Sequence, residues 1–167
     1  MKVLLTGQPR AGKTTLMVNC LKMVPNKQGF VTREILEGGE RIGFELVSSL
    51  GQTATLASVN SNSALRVSRY GVNVGALDSF IDDLPPPEPG NLLYIDEIGA
   101  MELFSDKFKR LVLEYLNTGN SFLGTIKDYD DEFANQIRQR PDVQVIEVTP
   151  ENRDELTQQL VKLMVQE

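Results

Sequence analysis

The chain has 167 residues, 41% hydrophobic and 24% charged, enough length and apolar content for a single domain over residues 1–167 with a real core. A net charge of −6 and an isoelectric point of about 4.8 argue against nucleic acid or an acidic membrane as partner. The lack of histidine excludes His-based acid–base catalysis and most zinc sites, and a single cysteine excludes an internal disulfide and fits a reducing interior.

Residues 2–6 carry the apolar run Val3-Leu4-Leu5, the pattern of a strand buried on both faces of a parallel sheet. With the strand starting so directly after Met1, no leader peptide is expected. No apolar run approaches the ~18 residues of a membrane span, so a cytoplasmic location is expected. Gly7-Gln8-Pro9-Arg10-Ala11-Gly12-Lys13-Thr14, with Thr15 behind it, then fits G-x-x-x-x-G-K-[ST], the phosphate-binding loop between a first strand and a first helix. The two glycines let the backbone curl so that successive N–H groups point into one concavity, and the helix that follows aims its unpaired donors and positive dipole end at the same spot. Lys13 is expected along the β- and γ-phosphates of a nucleoside triphosphate, and the Thr14 hydroxyl on Mg²⁺. Arg10 either adds positive charge near the phosphates or is a solvated side chain.

The next helix places Leu16, Cys20 and Met23/Val24 on one face and stops at Pro25-Asn26, so Cys20 reads as a packing residue. Gly29 to Ile35 and Arg41 to Val47, joined through Glu37-Gly38-Gly39-Glu40, predict an antiparallel hairpin added to a sheet that begins parallel. Residues 48–75 are rich in Ser, Asn, Thr and Gly and predict only short strands. Helical spacing returns over 74–84, with Leu77, Phe80/Ile81 and Leu84, before the stiff connector Pro85 to Gly90.

Leu92 to Ile95 is a second buried-type strand and ends in Asp96-Glu97. Phe104, Phe108, Leu111/Val112 and Tyr115 then mark one face of an amphipathic helix. A strand over Ser121 to Ile126, a helix over 131–139 and a strand over Val143 to Val148 follow. Thr149-Pro150 opens a last helix carrying Leu156, Leu160 and Leu163/Met164. No internal repeat is visible. The alternation predicts an α/β fold: a three-layer sandwich about a mostly parallel sheet, with the hairpin at its side.

Ligands of such a sheet bind beyond the carboxyl ends of its strands, where both the phosphate loop and Asp96-Glu97 fall. Asp96 is the candidate carboxylate for Mg²⁺, opposite Thr14. Glu97 projects toward the attacking water and can orient and deprotonate it, whereas a kinase has less need of such a group. Glu102 reads as a dipole partner at a helix N-terminus. An arginine should add charge at the phosphates; the candidates are Arg66, Arg69, Arg138, Arg140 and Arg153, with Arg138 favoured for its place after the strand ending near Ile126, and Arg66 next. The residues alone leave three activities open: hydrolysis of nucleoside triphosphates, transfer of phosphate to a small molecule, and a nucleotide-dependent switch. They identify no protein partner.

Together these segments resemble the small P-loop nucleoside-triphosphatases of the THEP type, the family of the cancer-related nucleoside-triphosphatase. The likeness runs through Thr6-Gly7 with Gly12 to Thr15, Gly29-Phe30, the Gly38-Gly39 hairpin through Phe44, Arg66-Val67 with Tyr70-Gly71-Val72, Ile95 to Leu103, Gly124-Thr125-Ile126, and Asn152-Arg153. The chain departs from the family pattern at Arg10, at Ala100 and in the acidic stretch Lys127 to Asp131. The resemblance implies a RecA-like sheet and Mg²⁺-dependent hydrolysis of nucleoside 5′-triphosphates, slow and tolerant of the base.

Overall fold

The computed structural model describes residues 1–165, so the last two positions of the expected domain lie outside the described residues. In chain order the elements are β1 (Lys2–Thr6), α1 (Lys13–Met23), β2 (Lys27–Glu37), β3 (Glu40–Ser48), β4 (Thr53–Ser58), β5 (Arg66–Val67), β6 (Tyr70–Val72) and α2 (Val74–Asp82). They continue with β7 (Leu92–Ile98), α3 (Asp106–Asn117), β8 (Phe122–Ile126), α4 (Glu132–Arg138), β9 (Gln144–Glu147) and α5 (Arg153–Val165). The strands form one nine-stranded sheet in the order β5-β6-β4-β3-β2-β7-β8-β1-β9. The five strands from β2 to β9 in that order run parallel, and the other four form an antiparallel wing.

Side chains alternate across each central strand, and this period of two sorts the core into two layers. Val3, Leu5, Leu92, Tyr94 and Leu123 face α1 and α5, where they meet Leu16, Cys20, Leu160 and Met164. Leu4, Leu93, Ile95 and Phe122 face the opposite side, against Leu77, Phe80, Phe108, Val112 and Ile137. The rings of Phe80 and Phe108 close edge-on upon Phe30 at 5.4 and 6.3 Å. Helices thus cover both faces, as a parallel sheet requires, and the three-layer expectation is met. Cys20 is fully buried in the first layer, and burial pushes its thiol up to about 11. It packs.

Several boundaries differ from the sequence reading. The first arm of the hairpin is not an addition: Lys27 to Val31 of β2 pair in parallel with Leu92 to Asp96 of β7, and only the later part of β2 turns to pair with β3. Residues 48–75 supply β4, β5 and β6, which extend the hairpin into the wing. Phe104 does not belong to α3. It ends a 3-10 turn over Glu102–Phe104 and is 40% exposed, because Ser105 interrupts the helix and caps it by accepting from the Phe108 N–H at 3.0 Å. The last helix begins at Arg153 rather than at Pro150, since Thr149 and Asn152 cap one another reciprocally at 2.8 and 3.2 Å.

Gly29 shows how tightly the central strands are drawn together. Its φ is +148°, and a Cβ there would lie 1.9 Å from the Tyr94 carbonyl oxygen. Only glycine fits. This close approach lays β2 against β7 and brings Thr32 to the end of the strand that carries Asp96.

Candidate active site

The chain curls immediately after β1. Gly7 and Gly12 have φ of +147° and +103°, and Arg10 also lies in the left-handed region at +66°. Gly12 is the N-cap of α1 and offers no side chain to the helix, which leaves the first N–H groups of α1 for an anion. Lys13 donates its ammonium to the Gly7 carbonyl at 2.7 Å and so is folded over its own loop. Gln8, Pro9, Arg10, Thr14 and Thr15 are exposed, and Ala11 is buried beneath them. Arg10 is a solvated residue of the loop's rim.

β8 lies between β1 and β7, so the phosphate loop and Asp96 stand two strand spacings apart, about 10 Å, at the same end of the sheet. Thr125, on the strand between them, donates to Asp96 Oδ1 at 2.6 Å. Thr32, on the other flank, donates to the Asp96 carbonyl at 2.8 Å. Thr125 thus holds the carboxylate and Thr32 the backbone of Asp96, which is 3% exposed. The other carboxylate oxygen, Oδ2, is buried with no hydrogen-bond partner, and the Thr14 hydroxyl is close enough to the carboxyl to favour its charged form. A buried orphan acceptor is costly, and here it marks where a cation fits. Among the described residues no group of three or more His, Cys, Asp or Glu is arranged to hold a metal. One hydroxyl and one carboxylate suit Mg²⁺, which fills its remaining positions with water and phosphate oxygens.

Glu97 is half-buried one residue further on. Burial raises its carboxyl above the usual range, the charge of Asp96 adds to this, and Lys13 and Lys127 pull the other way. Glu97 therefore lies within the field of both lysines. Burial likewise raises Asp96, against the pull of Thr125, Thr14 and Lys13.

Glu102 does stand at the N-terminus of a helical turn, the 3-10 turn over Glu102–Phe104, as a dipole partner would, but it is buried there. It is 3% exposed, accepts from the Gly99 N–H at 3.1 Å, and is pushed up to about 8, first by burial and then by the charge of Glu97. Both carboxylates crowd Gly99: a Cβ there would stand 3.0 Å from Glu97 Oε1 and 3.1 Å from Glu102 Oε2. Raised to about 8, Glu102 is largely neutral near pH 7, directly behind Glu97.

Arg138 does not line the cleft. It donates to the Lys127 and Tyr129 carbonyls at 2.5 and 3.0 Å and to Asn135 Oδ1 at 2.8 Å, and so holds the loop that carries Lys127. Arg66 and Arg69 brace the wing through backbone carbonyls and Glu40, and Arg140 pairs with Asp142 at 2.9 Å. Arg153 is the candidate that reaches the phosphate loop: a Cβ on Gly12 would lie 2.4 Å from its Cδ and 2.8 Å from its Nη1. The sequence reading also missed Thr32, Thr125 and Lys127 as site residues, although Gly124-Thr125-Ile126 ends a strand of the kind that borders such a cleft.

The cleft has a volume of about 500 Å³, and its walls include Thr14, Thr32, Asp96, Glu97, Glu102 and Lys127. Comparison with known proteins places the chain in a family. The profile of the NTPase family matches residues 2–161. A nucleoside-triphosphatase THEP1 of Thermotoga sp. strain RQ2 is 36% identical over 98% of this chain and 95% of its own length. The crystal structure of THEP1 from Aquifex aeolicus superposes with a TM-score of 0.84 at 32% identity, covering 98% of this chain and 99% of that one. The solution structure of a human cancer-related nucleoside triphosphatase does so at 0.80 and 34%, covering 97% and 96%. The chain belongs to the NTPase family.

Proposed function

We propose that this chain, as one domain over residues 1–167, hydrolyses nucleoside 5′-triphosphates to the diphosphate and phosphate, with Mg²⁺, slowly and with broad tolerance of the base. The observation that carries the reading is the meeting of Thr14, Asp96 and Glu97 in one cleft with an orphaned Asp96 oxygen. The N–H groups from Gly7 to Thr15 cradle the phosphates, and Lys13 exchanges the Gly7 carbonyl for phosphate oxygens. Thr14 and Asp96 would hold Mg²⁺, which would supply charge neutralisation on the phosphates. Glu97 orients a water and takes its proton as the water oxygen bonds to the γ-phosphorus; Lys127 stands on the same side. Arg153, at the loop, supplies the additional positive charge.

The family relatives bearing the name nucleoside-triphosphatase support hydrolysis over transfer. No helix among the described residues is long and apolar enough to cross a membrane; with one buried thiol and an acidic surface, this supports a cytoplasmic enzyme without a nucleic-acid partner. The test is steady-state phosphate release from ATP, GTP, CTP and UTP with and without Mg²⁺, repeated on Glu97→Gln. The variant should bind ATP as before and lose about 10²–10⁴ in turnover; unchanged turnover would remove Glu97 from the mechanism.

A further inference from the structure

The cleft is far larger than a water-activating site requires. A water occupies roughly 30 Å³, whereas this cleft has about 500 Å³, within the range of roughly 300–1,000 Å³ that holds small molecules. Of the phosphate loop only Thr14 reaches its wall, so the volume extends away from the nucleotide rather than around it. It is walled by the antiparallel wing: from Asp96 the wall passes Thr32 on β2, Phe44 on β3 and Leu56 on β4, with Val67 and Met101 lining it as well. Three strand spacings separate β7 from β4, roughly 14 Å. The near end holds the reacting groups; the far end brings Phe44, Leu56 and Val67 together, with Glu34 opposite Phe44 on the neighbouring strand. Water gains few partners against the three apolar side chains, and nothing in the phosphate chemistry calls for them.

Charge narrows the occupant. Glu34 is paired with Arg41 and Arg33 with Glu45, and Glu102 is largely neutral near pH 7, so the remaining charge on the walls is Asp96 and Glu97 against Lys127. An anionic guest meets repulsion beside Asp96 and Glu97, where its acceptor group would have to stand.

We propose that the cleft admits a second small molecule, a neutral alcohol with an apolar ring, its hydroxyl beside Glu97 and its ring among Phe44, Leu56 and Val67, and that this alcohol can replace water as phosphoryl acceptor. The alcohol oxygen forms a bond to the γ-phosphorus of the bound nucleoside triphosphate. The bond from that phosphorus to the β–γ bridging oxygen breaks, and its electron pair leaves with the nucleoside diphosphate. The hydroxyl proton passes to the Glu97 carboxylate. The inference rests on the reading that a nucleoside triphosphate binds the phosphate loop.

Two readouts test it on the full chain. Of the five methionines only Met101 lines the cleft, so methyl-labelled methionine reports occupancy of the cleft directly. With a non-hydrolysable ATP analogue and Mg²⁺ bound, benzyl alcohol and 2-phenylethanol are titrated in turn. The Met101 methyl resonance should shift saturably while those of the buried Met17 and Met164 stay. In parallel, γ-labelled ATP is incubated with each alcohol, and label should appear in the phosphate ester as well as in free phosphate. Val67→Phe, which fills the chamber, should lower ester yield about tenfold. A Met101 signal that does not move, or label confined to free phosphate, overturns the inference. Phosphate release in the alcohol-free control reports on the hydrolase reading alone, so the two can fail separately.

Discussion

Replacing Glu102 with glutamine isolates a cost that the fold carries at its centre. Glu102 is buried, accepts one N–H from Gly99, and stands behind Glu97 with its carboxyl raised from 4.5 to about 8. The folded chain thus holds a proton there that the unfolded chain releases above pH 4.5. Stability from this group is fully present below 4.5 and is lost as pH rises through about 8. At ~1.4 kcal/mol per pH unit across that interval, the loss reaches ~5 kcal/mol, a large share of the roughly 5–15 kcal/mol that stabilises a domain. Glutamine keeps an oxygen for the Gly99 N–H and never ionises. Asp96 and Glu97 are also raised and remain in the variant, so the pH slope should shrink rather than vanish. Urea unfolding in the presence of a chelator, from pH 5 to pH 9, measures this. Wild type and Glu102→Gln should nearly coincide at the acid end, and the variant should be several kcal/mol more stable at the alkaline end. Parallel stability curves across the whole range would refute the assignment of a neutral, buried carboxyl to Glu102.

Thr125→Val should remove the donor that orients Asp96 Oδ1 and raise the Mg²⁺ concentration for half-maximal phosphate release about 10–100-fold, with little change in fold by circular dichroism. Arg153→Ala, which clears the side chain lying over Gly12, should raise KM for ATP about tenfold while kcat changes less. Gly29→Ala would drive a Cβ into the Tyr94 carbonyl at a left-handed φ and should destabilise the domain by more than ~3 kcal/mol, seen as an early thermal transition; an unchanged transition would contradict the close approach of β2 and β7.

What could be read from the residues was what short-range geometry demands. A loop that must curl needs Gly7 and Gly12 at a set spacing, and a buried apolar strand that ends in two acids stands out from its run, so the loop and Asp96-Glu97 are visible in one dimension. The groups that tune them are visible only after the sheet is ordered. Thr125 is 29 residues from Asp96, and Thr32 is 64 away. Each becomes a partner because β8 and β2 happen to flank β7, and strand order is not written in any local pattern. Arg138 and Arg153 illustrate the same limit from the other side: both follow a strand and sit near a helix end, yet one holds a loop and the other lies on the phosphate loop, according to which strand each follows. Periodicity misled at Phe104, because a 3-10 turn and a cap at Ser105 preserve helical spacing without continuing the helix. The wing shows the limit most fully. Residues 48–75 predict only short strands because Ser, Asn, Thr and Gly break up their apolar positions, yet β4, β5 and β6 bring Leu56, Val67 and Tyr70 to the side of the sheet that carries Phe44. A wall assembled from scattered residues on neighbouring strands has no linear signature, and that is why the volume beyond Glu97 emerges only from the fold.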